Sequence, residues 1–244
     1  MNNQKTAGIV IIGNEILSGK VRDINSFYLV CELRALGVDV KRISVISDDI
    51  SIIGREVVQF SGTYDYVFTS GGVGPTHDDV TMAGIAHGFG VNLVTHDGIK
   101  EILHARYKDL LNRSVLKMTE VPEGSEIEFN QNMRFPVVSF RNIFIFPGIP
   151  EYMQNKFSLI KEKFRSSVFY LKRLYLNCHE SNIAEILNRV VENHKDVTFG
   201  SYPVLGKPDF RVIITAETKS EQSLKNAMTE LMEQLPRDLL VRVE

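Results

Sequence analysis

Two stretches of this sequence set anion-binding backbone beside carboxylates. The first is TSGGVGPTHDDVT, residues 69–81, in which three glycines follow an apolar, strand-like segment and two acids precede a helix-like one. Glycine lets backbone N–H groups close on an anion with no Cβ in the way, and a helix N-terminus adds partial positive charge. Gly71, Gly72 and Gly74, with Pro75 closing the turn, therefore suit a phosphate, and Ser70 and Thr76 add hydroxyl donors. Asp78 and Asp79 by themselves would repel that phosphate. They make sense if they hold Mg²⁺ or a similar hard cation that bridges to phosphate oxygens. The plainer alternative is a tight turn in which one of the two acids caps the following helix.

The second stretch is GNEILSG, residues 13–19, followed by Asp23, Ile24 and Asn25. It lies at the carboxyl end of the first strand-like segment, where open α/β sheets bind ligands. Gly13 and Asn14 form the turn, and Glu15 and Asp23 are candidate metal or ribose partners. Asp23 and Asn25 serve equally well as N-caps of a helix beginning at Ser26, and Asp48 is similarly divided between cap and ligand. A third turn, FPGIP at 146–150, places Gly148 between a strand and a helix that starts on Pro150, and a structural role is sufficient for it. The six histidines are scattered; His77 alone falls in the glycine loop, where it would orient a water, touch a phosphate, or do neither. No HExxH, GxSxG or GxxxxGK[ST] occurs, so a zinc site, a hydrolase triad and a P-loop are not indicated. Cys31 and Cys178 each sit in a helix- or strand-like segment and not in a cluster with metal-ligand spacing, so a disulfide scaffold is not expected.

These residues need a sheet to carry them. AGIVIIG at 7–13 is the continuous apolar run of a strand covered on both faces. Phe27, Val30, Leu33 and Leu36 recur at helical spacing, Gly37 supplies the stop, and a strand follows over 38–46. Asp48 or Asp49 caps a second helix with Ile53, Val57 and Phe60 on its core face, before a strand at 66–69. Two successive crossovers predict an α/β, doubly wound, mostly parallel sheet. Helices are expected over 80–89 and 99–111 and a hairpin over 137–140 and 143–146, while 122–133 is polar and unassigned. Beyond 167 the order becomes β-α-β-β-α-β, a smaller ferredoxin-like α+β domain, so the expected domains are 1–166 and 167–244. With 244 residues, 43% of them hydrophobic, the chain can bury both cores. Its formal net charge of -2 gives no general attraction to nucleic acid or an anionic membrane. The apolar run at 9–12 is far short of the ~18 residues of a membrane span, and the cytosol or an organelle matrix is the expected compartment.

Taken together, GNEILSG with DIN, and SGGVGPTHDDVT, resemble the motifs of the molybdopterin-binding (MoaB/Mog-like) domain family. RFPVVSFRNIFIFPGIPE and the later GSYP look like the branch shared by CinA-like proteins and the N-terminal half of eukaryotic FAD synthase. The resemblance implies a nucleotide-like ligand (FAD, ADP-ribose or a pterin phosphate) at the sheet's C-terminal edge, and a dimer or trimer. It implies catalysis by Asp79, Asp78, Glu15 and Asp48, with Asp78, Asp79 and Glu15 holding Mg²⁺ or Co²⁺ and with K⁺ as a further candidate ion. The ligand-binding residues it implies are Gly13, Asn14, Asp23, Asn25, Ser70, Gly71, Gly72, Gly74, Pro75, Thr76 and Gly148. Asn14 stands where the family more often has Asp or Thr, and Ile24 replaces the Thr of its Asp-Thr-Asn. No adenylylating or deamidase domain is visible, so the chain alone is not expected to make FAD from FMN. Three functions are expected from this: a metal-dependent FAD or ADP-ribose pyrophosphatase, a molybdopterin adenylyltransferase, or a non-catalytic flavin-nucleotide-binding subunit that docks to a FAD-synthesising partner.

Overall fold

The computed structural model describes residues 4–107, 112–129, 135–207 and 209–244. It divides into two compact units, ending and beginning at Ser166 and Ser167. In the first, β1 (Thr6–Ile12) is buried at six of its seven positions, and its apolar run sits between two layers of helices. The chain continues through α1 (Asn14–Leu17), α2 (Asn25–Ala35), β2 (Asp39–Ile46), α3 (Ile50–Thr63), β3 (Tyr66–Ser70) and α4 (Thr81–Phe89). There follow β4 (Leu93–Thr95), α5 (Asp97–Tyr107), α6 (Arg113–Lys117), β5 (Glu120–Pro122), β6 (Glu126–Glu128), β7 (Val137–Phe140), β8 (Ile143–Phe146) and α7 (Pro150–Ile160). The main sheet runs β2-β1-β3-β8-β7-β6, and β4 pairs with β5 separately. β2, β1, β3 and β8 are mutually parallel, whereas β7 and β6 run antiparallel at one edge. The chain leaves β1 for β2 on one side and reaches β3 on the other, so the strand order reverses between β1 and β3. Ligands of such sheets bind in the crevice outside that reversal.

Each face of the sheet has its own core. On one, α2 and α7 cover an aromatic cluster in which Phe164 stands edge-on to Phe68 at 4.9 Å and to Phe144 at 4.7 Å between ring centroids. On the other, Ile53, Val57 and Phe60 of α3 and Ile85 of α4 are fully buried. Each such side chain contributes about 1.5–3 kcal/mol relative to exposure. Two expectations are corrected here. The buried face of α2 is Asn25, Leu29 and Leu33, one i, i+4 stripe, and Phe27 is 73% exposed. Strands β5 and β6 occupy part of the unassigned polar stretch, with 130–134 outside the described residues, as are 108–111 at the end of the expected 99–111 helix.

The second unit contains β9 (Tyr170–Leu176), α8 (Ala184–Asn193), β10 (Thr198–Pro203), β11 (Val212–Thr218), α9 (Glu221–Gln234) and β12 (Leu240–Val243). Its strands lie in the order β10-β11-β9-β12 with every neighbour antiparallel, the ferredoxin-like arrangement. Leu174, Leu176, Ile214 and Leu231 centre its separate core. Among the described residues no helix is long and apolar enough to cross a membrane.

Helices α3 and α4 touch at backbone level. A Cβ on Gly88 would stand 2.4 Å from the Gly54 carbonyl oxygen and 2.6 Å from its Cα, whereas one on Gly62, also in α3, would meet nothing within 4 Å. Gly88→Ala is therefore expected to lower stability in urea unfolding by about 1–3 kcal/mol through overpacking. Gly62→Ala is expected to be neutral or to raise it by about 0.4–1 kcal/mol. Equal midpoints for Gly88→Ala and wild type would contradict the close packing.

Candidate active site in the glycine-loop cavity

The glycine loop leaves β3 at the point where the strand order reverses. Gly71 has φ +113°, and a Cβ there would lie 2.0 Å from the carbonyl oxygen of Ile12 at the end of β1; Gly72 has φ +64°. Only glycine meets both demands. The turn is fastened from inside by Thr81, whose buried hydroxyl donates to the Gly71 carbonyl at 2.8 Å and whose N–H donates to that of Gly72 at 3.0 Å. Gly71 N–H donates to the Phe146 carbonyl across the sheet at 3.1 Å, so Gly71 shapes the loop and its N–H is taken. The next three N–H groups, of Gly72, Val73 and Gly74, have no acceptor among the described residues. All three residues line a cavity of about 810 Å³, together with Met82 and Ala83 at the N-terminal end of α4. Successive free N–H groups beside a helix N-terminus form an anion cradle.

The adjacent acids part company. Asp79 lines the cavity, and its Oδ2 accepts from Thr76 N–H at 2.8 Å and from the Thr76 hydroxyl, folding the loop tip back on itself. Asp78 lies outside the cavity lining with its side chain 60% exposed, and His77 beside it is 97% exposed. Thr76 is likewise outside the lining, its hydroxyl engaged by Asp79.

Glu15 comes to the cavity from α1. Its carboxylate curls over Gly13, and its two oxygens would lie 2.5 and 2.7 Å from a Cβ at that position. Asp48 does not line the cavity; its Oδ2 accepts from Asn14 N–H at 2.7 Å and ties the Gly13–Asn14 turn to the end of β2. The cap of α3 is Asp49, which accepts from Ser51 and Ile52. Asp23 Oδ1 accepts from the N–H groups of Asn25 and Ser26, which is the capping role. Asn25 is buried and donates to Ser70 Oγ at 2.9 Å and to the Gly148 carbonyl at 2.8 Å; Ser70 in turn donates to the Pro147 carbonyl at 3.0 Å. Neither Asn25 nor Ser70 lines the cavity. They hold its rim together, and Pro75 and Gly148 line it.

Four carboxylates line the cavity, Glu15, Asp79, Glu120 and Glu151; of the residues singled out from the sequence, Glu15 and Asp79 are the two that could face a cation there. Among the described residues no three His, Cys, Asp or Glu side chains gather to hold a metal ion, so the expected trio of Asp78, Asp79 and Glu15 is not preassembled. Two carboxylates are nevertheless the usual protein share for Mg²⁺, which takes its remaining ligands from phosphate and water.

Two cations in the cavity escaped the sequence reading. Lys117 Nζ, from the end of α6, donates to the Thr76 carbonyl at 2.5 Å. Lys156, on α7, donates to the Pro136 carbonyl at 2.8 Å, lies 4.9 Å from the Phe135 ring centroid, and is held down to a pKa of about 8 by burial. A glycine loop that carries no lysine is thus supplied with two from elsewhere in the fold.

Residues 8–166 match the family model described as "Probable molybdopterin binding domain", and 168–244 match "FAD synthase, middle domain". A "Probable FAD synthase" of Caenorhabditis elegans is 34% identical over 96% of this chain, which spans about half (51%) of that relative's length. A protein of Archaeoglobus fulgidus is 37% identical over 93% of the chain and 96% of its own length. Among solved structures, CinA of Thermoplasma acidophilum, a protein described as of unknown function, superposes with a TM-score of 0.61 at 28% identity, covering 66% of this chain and 99% of that one.

The Lys156 amine gives the cavity a signature in pH. Burial disfavours its charged form, so its folded pKa of about 8 lies below the ordinary 10.5. Between these values the unfolded chain binds more protons than the folded one, and stability rises with pH. The contribution is complete above 10.5 and is lost as pH falls through about 8. Compared with Lys156→Met, wild type should therefore gain urea midpoint between pH 7.5 and 9.5; parallel curves would show that the amine is not buried.

Proposed function

The chain belongs to the molybdopterin-binding domain family and continues into a FAD synthase middle domain, and on that premise we propose that its first unit is a metal-dependent pyrophosphatase of FAD or a related dinucleotide such as ADP-ribose. The observation that carries the proposal is the run of three free N–H groups, Gly72 to Gly74, in one cavity with Glu15 and Asp79. The N–H groups take the diphosphate oxygens, where negative charge is concentrated and where fixed dipoles act without reorganising. Glu15 and Asp79 would hold Mg²⁺ or Co²⁺, which when bound supplies charge neutralisation and a more acidic water. A water oxygen bonds to one phosphorus as the bridging P–O bond breaks, so FAD and water give FMN and AMP. Lys117 keeps the loop tip in place through the Thr76 carbonyl.

One observation favours a second reading, a flavin-nucleotide-binding module that works beside a FAD-synthesising partner without turning over its ligand. Asp79 Oδ2 is already committed to Thr76, and among the described residues no three acids gather closely enough to hold an ion. A pterin phosphate would satisfy the same cradle in an adenylyltransferase; the FAD synthase middle domain weighs toward flavin.

FMN and AMP release from FAD with Mg²⁺ or Co²⁺ tests the proposal. Asp79→Ala is expected to reduce turnover on the order of 100-fold or more. Gly13→Ala, whose Cβ would displace the Glu15 carboxylate, is expected to reduce it about tenfold or more while changing stability by less than about 1 kcal/mol. Bound FAD without turnover would support the second reading, and FAD neither bound nor cleaved would sink both.

A further inference from the structure

Away from the glycine loop, the crossing of α3 and α4 leaves an open depression of about 390 Å³ on the first unit. It shares no lining residue with the glycine-loop cavity. Gly54 and Gly88 line it where the two backbones meet: a Cβ on Gly54 would stand 2.9 Å from the Gly84 carbonyl oxygen, and one on Gly88 2.4 Å from that of Gly54. Side chains ordinarily fill such a crossing, and their absence here leaves the space. Amides inside a helix are spent on its own carbonyls, so the glycines supply room and the bonds to any ligand must come from the walls.

Those walls are polar and carry one sign of charge. From α3, Ser51, Arg55 and Gln59 follow at successive intervals of four, which makes them neighbours on one helix face, and Val58 lies beside them; α4 adds His87. Among the described residues, none of the side chains of Ser51, Arg55, Gln59 and His87 has a partner within the protein. Exposed groups are served by water, so this alone calls for no ligand. The charge is more selective. Helix α4 contains no Asp or Glu, and the single acid of α3, Glu56, accepts from Arg42 at 3.1 Å and does not line the depression. No carboxylate lines it, whereas four line the glycine-loop cavity.

We propose that this depression is a second anion site, which receives a phosphoryl group of a small molecule. Arg55 presents the planar fork that matches phosphate oxygens two at a time, Ser51, Gln59 and His87 donate around it, and Val58, 39% exposed, gives an apolar rest to whatever carries the phosphate. The site is open, so its affinity falls with added salt. The inference does not depend on the reading of the glycine loop. The two places are nonetheless joined by one element: α4 begins at Thr81, which fastens the loop, and Gly88 lies seven residues on, about 10 Å along the axis.

The test is a titration of the whole chain with inorganic phosphate, followed by backbone amide NMR, with sodium chloride at equal ionic strength as the control. In wild type the amides of Gly54, Arg55 and Gly88 are expected to shift and to saturate with phosphate and not with chloride. Arg55→Gln is expected to weaken that binding at least about tenfold, in line with loss of a charge-assisted pair, and Arg55→Lys to restore part of it. The remaining amide spectrum checks that each variant is folded. The amides of Gly72, Val73 and Gly74 report the glycine loop separately and are expected to respond alike in wild type and Arg55→Gln. Shifts at Gly54 and Gly88 that are absent, that chloride reproduces, or that Arg55→Gln leaves unchanged would overturn the second site, whatever the glycine loop does.

Discussion

The site depends on one buried carboxamide. Asn25, at the first turn of α2, reaches across the end of the sheet to Ser70 at the end of β3 and to the Gly148 carbonyl beyond β8. Through Ser70 the same network includes the Pro147 carbonyl. Three chain segments separated by up to 123 residues are thereby fixed to one another at the C-terminal edge of the strands. Each of these bonds is worth only about 0.5–1.5 kcal/mol net, but leaving its buried partner unsatisfied costs about 1–3 kcal/mol. The network is therefore better understood as setting a geometry than as adding stability. It holds Gly148 against Gly71, and the glycine loop leaves β3 in one direction.

From that fixed edge the chemistry follows by division of labour. Gly71 gives its N–H to the sheet, and the free donors begin one residue later. Thr81 secures the loop from the helix side, and Asp79 with Thr76 secures its tip. The carboxylate of Glu15 is brought in from a different strand end, over a glycine that leaves it room. Positive charge comes from α6 and α7: Lys117 binds the loop tip at the Thr76 carbonyl, and Lys156 is held at the Pro136 carbonyl. Helix α4, whose first-turn residues Met82 and Ala83 line the cavity, is packed at its other end against α3 through Gly88 and Gly54.

Much of this was legible in the sequence because it is local. The apolar run of β1, the Arg141–Asn142 turn and the order β-α-β-β-α-β after Ser167 are written in adjacent residues and short periods, and so is the coincidence of three glycines with a strand end. What was not legible is non-local. Spacing cannot separate Asp78 from Asp79, since the distinction is made by Thr76 once the loop has folded. Nor can it reveal that the Gly71 N–H is taken by Phe146, 75 residues away, and that Val73 takes its place among the donors. Helical spacing proposed Phe27 for the core, but Asn25 fixes the phase of α2 by turning inward, and the stripe Asn25, Leu29, Leu33 leaves Phe27 in solvent. Lys117 and Lys156 reach the cavity only through the packing of their helices, which no motif records.

The most direct measurement is a crystal structure with ADP-ribose or FAD bound in the presence of a divalent cation. The expected result is a diphosphate within hydrogen-bond distance of the Gly72, Val73 and Gly74 N–H groups, with Glu15 and Asp79 facing the ion. A diphosphate bound elsewhere, with those three N–H groups still unpaired, would contradict the assignment of the glycine loop as the phosphate site.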